Sequence, residues 1–433
     1  MQYYSTNNQS PLASFKEATI RGQAPDKGLY FPEAIPQIDK SLISDIEKLS
    51  NEEISFRVIR RYVGNEIRDE ELFKIVEETI NFPIPLVKVN DKIFSLELFH
   101  GPTLAFKDVG ARFMSRCLGY FLRDENKKVT VLVATSGDTG GAVANGFYDV
   151  PGVNVIILYP SGKVSPVQEK QLTTPGKNIK ALEIEGTFDD CQHMVKQAFA
   201  DPDINQKLFL TSANSINVAR WLPQQFYYFF AYKQWIDKDH PPVVSVPSGN
   251  FGNICAGILA KQSGLPIDHF IAACNVNDVV TEYLQTTHYK PQTAKSTLSN
   301  AMDVGNPSNF IRILEIFHHQ FPDLAKNLSS YSITDEETKA TIKEVYDTSN
   351  YLLDPHGAVG YLSLKKFLEK QPDRKGIFLE TAHPVKFPDA VEKVTGKQID
   401  LPSSIRSIMD LEKKSLFMKP DFETFKHYLV SGG

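Results

Sequence analysis

The chain has 433 residues, 47 Lys+Arg against 52 Asp+Glu and a net charge of −5. So small an imbalance gives no electrostatic case for nucleic acid or an anionic membrane, and makes a small molecule the expected partner. At 42% hydrophobic residues the chain can bury a large core, and its length calls for two or more domains.

The first ten residues, MQYYSTNNQS, lack a basic segment followed by an apolar one. No stretch approaches the ~18 apolar residues needed to span a bilayer, so a cytoplasmic protein is expected. Residues 1–90 carry helical patterns at 39–48, 51–64 and 69–80 and a turn-rich GQAPDKGLYFPEAIP, which predicts a separate, mainly helical N-terminal unit. From residue 91 short β-branched runs alternate with longer amphipathic stretches, the pattern of βαβ units and parallel sheets. After the strand candidate KIFSLELF come VTVLVATS (129–136), NVIILYP (154–160), NIKALEI (178–184), PVVSVPS (242–248), HFIAAC (269–274) and GIFLET (376–381). Their continuous apolar character suits strands covered on both faces. The expected fold class is α/β, with open, mostly parallel sheets flanked by helices. A core of 91–285 and 336–433, in two sub-domains, is interrupted by an insertion or lid at 286–335 that contains GNPSNFIRILEIFHHQF.

Cys117, Cys191, Cys255 and Cys274 form no C-x-x-C pair and read as reduced core thiols. The ten histidines show no H-E-x-x-H or similar spacing, so no metal site is expected.

Two glycine-rich turns follow strands: ATSGDTGGA (134–142) and PSGNFGNICAG (247–257). Each strips away side chains at the start of a helix, where backbone N–H groups and the helix dipole favour an anion. Neither matches G-x-x-x-x-G-K-[ST] or G-x-G-x-x-G, and tight turns alone would also explain them. Ahead of both lies HGPTLAFKDVG (100–110). Asp108 reads as the N-cap of a helix whose face carries Val109, Phe113, Met114, Cys117, Leu118 and Phe121. Lys107 beside it is either an ordinary surface or salt-bridging charge or a nucleophile. The second role requires its free pKa of about 10.4 to be lowered by an apolar flank and a helix N-terminus.

Lys107's segment, the two turns and the late ETAHPVKF (380–387) are similar, in order and spacing, to pyridoxal-phosphate (PLP) enzymes of fold type II, the tryptophan-synthase-β type. More narrowly, KGLYFPE, HGPTLAFKD, ATSGDTGGA, NSINVARWLPQ, PSGNFGN, MDVGNPSN, LLDPHGAVG and TAHPVKFP resemble stretches of the threonine synthase family from end to end. The resemblance implies that Lys107 forms the Schiff base with the cofactor aldehyde. It implies that Ser248, Gly249, Asn250, Phe251, Gly252 and Asn253 cradle the cofactor phosphate, and that the Thr381 hydroxyl meets the pyridine nitrogen. A neutral hydroxyl there would leave that nitrogen largely unprotonated and weaken the electron sink.

Ser136, Gly137, Asp138, Thr139 and Gly140 would hold the substrate carboxylate. Asn217 and Arg220, three apart on a helix, would reach a substrate phosphate, although Arg220 could equally pair with a carboxylate. His100 and His356 sit in family-like motifs without an assigned step. The implied reaction converts O-phospho-L-homoserine and water to L-threonine and phosphate by γ-elimination and β-addition of water, in a monomer or homodimer. The alternatives are another fold-type-II lyase, such as a serine or threonine dehydratase, and a non-catalytic α/β protein that binds a phosphorylated metabolite with Lys107 as a charge clamp.

Overall fold

The computed structural model describes residues 1–123 and 128–431. Its strands, in chain order, are β1 (Gln2–Ser5), β2 (Ala13–Ser14), β3 (Tyr30–Pro32), β4 (Leu86–Lys88), β5 (Ile93–Glu97), β6 (Val129–Ala134), β7 (Val153–Pro160), β8 (Ile179–Ile184), β9 (Phe209–Ser212), β10 (Val243–Pro247), β11 (His269–Cys274), β12 (Leu328–Ser332), β13 (Gly376–Glu380) and β14 (Ser415–Met418). They build three sheets. One has the order β12-β11-β10-β13-β5-β4, the second β14-β8-β7-β6-β9, and the third β2-β1-β3. The second is parallel throughout. The first is parallel except for β4 at one edge, which runs antiparallel to β5.

The continuous apolar runs form the inner strands because helices cover both faces; β6, for example, is buried at every residue. The helix Lys107–Leu122 leaves the first sheet after β5 and delivers the chain to β6 in the second. Residues that end strands of either sheet therefore converge on one cleft, the position at which open α/β sheets bind ligands.

The N-terminal unit is mainly helical as expected and gains a small sheet, while two other expectations need correction. The N-terminal unit has helices at Phe15–Arg21, Lys40–Ser44, Asn51–Val63 and Asp69–Thr79, but residues 2–32 also form an antiparallel sheet. Strands of two to four residues are too short to show a period-2 pattern. The expected insertion 286–335 supplies β12 to the edge of the first sheet, so its last residues belong to the core. Its helix Phe310–Ile316 packs on Gly252–Gln262. There the buried Arg312 donates to the carbonyls of Tyr30, Ser215 and Ile216 and lies over the Trp221 ring. It thereby ties the N-terminal unit to the wall of the cleft.

Asp108 is not an N-cap, because the helix already starts at Lys107. The preceding residues are locked against the end of β13: Ala105 bridges Ala382, Phe106 N–H donates to the Thr381 carbonyl at 2.9 Å, and His383 N–H donates to Leu104 at 3.0 Å. The Asp108 carboxylate instead accepts from Thr103 N–H at 2.9 Å and from its hydroxyl at 2.5 Å.

All four cysteines are free and buried. Among the described residues no helix is long and apolar enough to cross a membrane, and no acidic, His or Cys group could hold a metal ion.

Candidate active site

Lys107 stands at the first turn of its helix, half-buried, with its amine 5.7 Å from the centre of the Phe106 ring. The amine has no hydrogen bond or ion pair among the described residues. Burial lowers its pKa to about 8; Asp138 works against the shift, while Lys386 and Arg220 add to it. The Lys107 segment is held rigidly. Besides the contacts to Thr381 and Ala382, the buried Tyr227 hydroxyl donates to the Phe106 carbonyl. A positioned amine with a lowered pKa, able to reach its neutral form near physiological pH, is what nucleophilic capture of an aldehyde requires.

The turn after β10 offers an anion cradle. The N–H groups of Gly249 through Ile254 donate to no protein acceptor among the described residues. Phe251 adopts the left-handed conformation at φ 60°, immediately before the helix Gly252–Gln262. A methyl group on Gly249 would lie 2.6 Å from the Ala301 carbonyl and 2.7 Å from Met302 Cα, so only glycine lets that segment back the turn. The turn is braced by its side chains. Asn250 donates to Ser215 at 2.8 Å and accepts from Ser308 N–H at 2.6 Å, and Ser248 donates to the Val246 carbonyl at 2.8 Å. Asn253 accepts from the Tyr228 hydroxyl at 2.8 Å, while its buried amide nitrogen has no partner. Unpaired buried donors around a helix N-terminus fit a phosphate group. Thr381, 6% exposed at the end of β13, has its carbonyl engaged by Phe106 while its hydroxyl has no partner among the described residues. An available amine, an anion cradle and a free hydroxyl are the groups needed to hold pyridoxal phosphate.

The turn after β6 is of a different kind. Thr135 Oγ1 accepts from Gly137 and Gly140 N–H at 3.0 and 2.9 Å. The N–H groups of Ser136, Asp138 and Thr139 are left without protein acceptors among the described residues. Asp138 is buried and pairs with Lys386 at 2.7 Å and with Gln168 at 2.9 Å. Burial alone would raise its carboxyl, but the Lys386 and Lys107 ammonium groups more than offset that and hold it well below the usual carboxylate range. Lys386, fully buried, also donates to the Thr103 carbonyl at 2.7 Å. Lys386 and Gln168 had no role in the sequence reading. Lys386 lies within the quoted ETAHPVKF, but only the folded chain sets it against Asp138.

Arg220 is 4% exposed and joins this cluster. It donates to the Ala213 carbonyl, its Nε is buried without a partner, and no carboxylate is paired with it among the described residues. Burial pushes its pKa down to about 10. Asn217 is the exception among the expected site residues. It caps the short helix Val218–Trp221, accepting from Ala219 N–H at 3.0 Å and donating to Thr19 and Ser212 carbonyls at 2.8 and 3.3 Å. With both ends of its amide used by the backbone, it is a structural residue and not an anion contact.

A parallel-sheet cleft that holds a lysine of lowered pKa and a turn of free N–H groups fits a pyridoxal-phosphate-dependent enzyme, and residues 79–379 match the family model described as pyridoxal-phosphate dependent enzyme. Residues 2–80 and 357–429 match the models for the threonine synthase N terminus and C-terminal region. The chain is 44% identical to threonine synthase of Haemophilus influenzae, with 99% of this chain and 100% of that one covered, and 43% identical to that of Escherichia coli, with all of both covered. The crystal structure of the E. coli protein matches with a TM-score of 0.93 at 42% identity over all of both chains. A PLP-bound threonine synthase from Brucella melitensis matches with 0.93 at 35% identity, over 100% of this chain and 99% of that one. The chain belongs to the threonine synthase family of pyridoxal-phosphate-dependent enzymes, which act in amino-acid biosynthesis. A threonine deaminase from Solanum lycopersicum, at 16% identity and a TM-score of 0.57, shares the fold alone.

Proposed function

We propose that the enzyme converts O-phospho-L-homoserine and water to L-threonine and inorganic phosphate by γ-elimination followed by β-addition of water. The observation that carries this reading is Arg220, a buried guanidinium without a carboxylate partner in the same charged cluster as Lys107. It suits a substrate that brings its own phosphate. Bound pyridoxal phosphate supplies an aldehyde for amine capture and an electron sink for charge at the substrate Cα. The Ser248–Asn253 turn would hold its phosphate through main-chain N–H groups, and the Thr381 hydroxyl would serve its ring nitrogen.

The chain's own groups do the rest. The N–H groups of Ser136, Asp138 and Thr139 receive the substrate carboxylate, with Gly137 and Gly140 shaping the turn. Lys386 neutralises Asp138, so an anion can approach the turn without meeting a bare carboxylate. Lys107 Nζ takes the α-proton and returns one later; with its pKa near 8 it exchanges protons at neutral pH at small cost. Arg220 binds the departing phosphate. The protein works in the cytoplasm as a monomer or homodimer.

The test is the product balance from O-phospho-L-homoserine. One threonine per phosphate is expected. Phosphate without threonine, or release of ammonia with a keto acid, would overturn the reading in favour of a dehydratase-type lyase.

A further inference from the structure

Behind the cleft, where the mechanism uses nothing, three buried titratable side chains form a chain. Glu380 and Asp354 are 0% exposed and His356 is 2% exposed. Glu380 Oε1 accepts from Asp354 N–H at 2.6 Å, and Asp354 Oδ1 faces His356 Nδ1 at 2.5 Å. His356 Nε2 accepts from the main-chain N–H of Ala301 at 3.2 Å. That last bond decides the protonation pattern. A nitrogen that accepts carries no hydrogen, so the imidazole is neutral with its proton on Nδ1, donated to Asp354.

Asp354 therefore has no cation against it among the described residues, and a second charged carboxylate beside it is hard to sustain. Glu380 Oε2 is buried without a hydrogen-bond partner among the described residues, on the same carboxyl whose Oε1 is held by Asp354 N–H. Glu97, opposite Glu380 in the parallel register, is a further acid, itself engaged by the Tyr351 hydroxyl and His100. Two like charges sharing a dry site keep one proton between them. Burial, then Asp354, push the Glu380 carboxyl well above its ordinary value. A methyl group on Gly357 would lie 1.5 Å from Oε2, so the helix Pro355–Lys370 packs directly on this oxygen.

We propose that Glu380 is a protonated acid at neutral pH and that Glu380, Asp354 and His356 form a one-proton clamp positioning both ends of the cofactor site. At one end Glu380 fixes the terminus of β13, whose next residue is Thr381. At the other, His356 holds Ala301, whose carbonyl backs Gly249 of the anion cradle. The three are positioning residues, and the clamp rests on the assignment of Thr381 and the 248–253 turn to the cofactor.

Infrared difference spectra of the full-length wild type against Glu380→Gln should show the C=O band of a protonated carboxylic acid at neutral pH. A pH series of unfolding measurements adds an independent readout. The folded state keeps a proton that the unfolded chain releases above pH about 4.3, so wild-type stability declines as pH rises while that of Glu380→Gln does not. The ratio of their folding equilibrium constants should move in favour of the variant by about tenfold per pH unit. In cofactor titrations His356→Ala should raise the pyridoxal-phosphate Kd about tenfold, one lost buried hydrogen bond. Glu380→Gln should restore the affinity lost in Glu380→Ala. If Glu380→Gln fails to fold, carbon-13 labelling of glutamate in the wild type should shift the same acid band. Absence of that band, or a stability ratio flat with pH, overturns the protonated acid whatever the cofactor contacts are. Unchanged Kd in His356→Ala overturns the positioning role alone.

Discussion

The two glycine turns differ in what they offer an anion. The 248–253 turn carries no charged side chain and presents six consecutive N–H groups, Gly249 to Ile254, that donate to no acceptor among the described residues. The 136–140 turn contains an acid, Asp138, with Lys386 buried against it. A group that stays bound can be met by fixed dipoles, which cost no reorganisation. A ligand that arrives and leaves gains from a balanced ion pair, because the turn stays near neutral whether it is full or empty. The balance also reaches Lys107, whose pKa is raised by Asp138 and lowered by Lys386.

The largest expected effect bears on both turns at once. Lys107→Ala should cost about a thousandfold or more in kcat while leaving both cradles intact. Borohydride should then fix no cofactor on the protein, whereas in the wild type the reduced adduct should sit on Lys107. Lys386→Met strikes the charged turn first. It leaves Asp138 buried and unpaired, at a cost of about 3–5 kcal/mol in chemical denaturation, and the double variant with Asp138→Asn should recover most of it. A double variant as unstable as the single would show that the pair is not what balances this turn.

Asn253→Asp is the converse experiment, placing a negative charge in the neutral cradle. The pyridoxal-phosphate Kd should rise about a hundredfold, a repulsion of a few kcal/mol, with the substrate KM little changed. Arg220→Met should raise KM for the phosphorylated substrate by about tenfold to a hundredfold, the worth of a charge-assisted hydrogen bond. Arg220→Lys should recover only part of this, since an ammonium lacks the planar fork.

The smallest effects are those of pH. Capture of cofactor by apoprotein should speed up as pH rises to about 8 and then level off, following neutral Lys107. The plateau should move up in Lys386→Met and down in Asp138→Asn. Asp138, depressed in the folded state, adds stability above the ordinary carboxylate range near pH 4. That stability should be lost as pH falls towards its folded value, and Asp138→Asn should abolish this slope.

Local pattern was enough to predict β5, β6, β7, β8, β10, β11 and β13, because strands buried on both faces are continuous apolar runs of strand length. It was also enough for the helix after Lys107 and for the two turns, whose glycines are a local requirement of chain path. Edge strands escaped it. β12 (LSSYS) and β14 (SLFM) are only partly buried, so their composition resembles that of loops. Asp108 and Asn217 show the limit from the other side. Each is of a type that suits a cap or an anion contact, and only the neighbouring backbone decides which.

The amino-acid sequence by itself determined the α/β class, the inner strands and the helix that follows Lys107, and the motif set from which membership of the threonine synthase family follows. Those properties depend on periodicity and on runs of adjacent residues. The tertiary structure alone decided the pairing of Asp138 with Lys386, the burial of the Arg220 guanidinium away from any carboxylate partner among the described residues, and the contact of His356 with Asp354 and Ala301. The Asp138–Lys386 pair joins residues nearly 250 positions apart, and protonation states depend on which groups burial brings together without water.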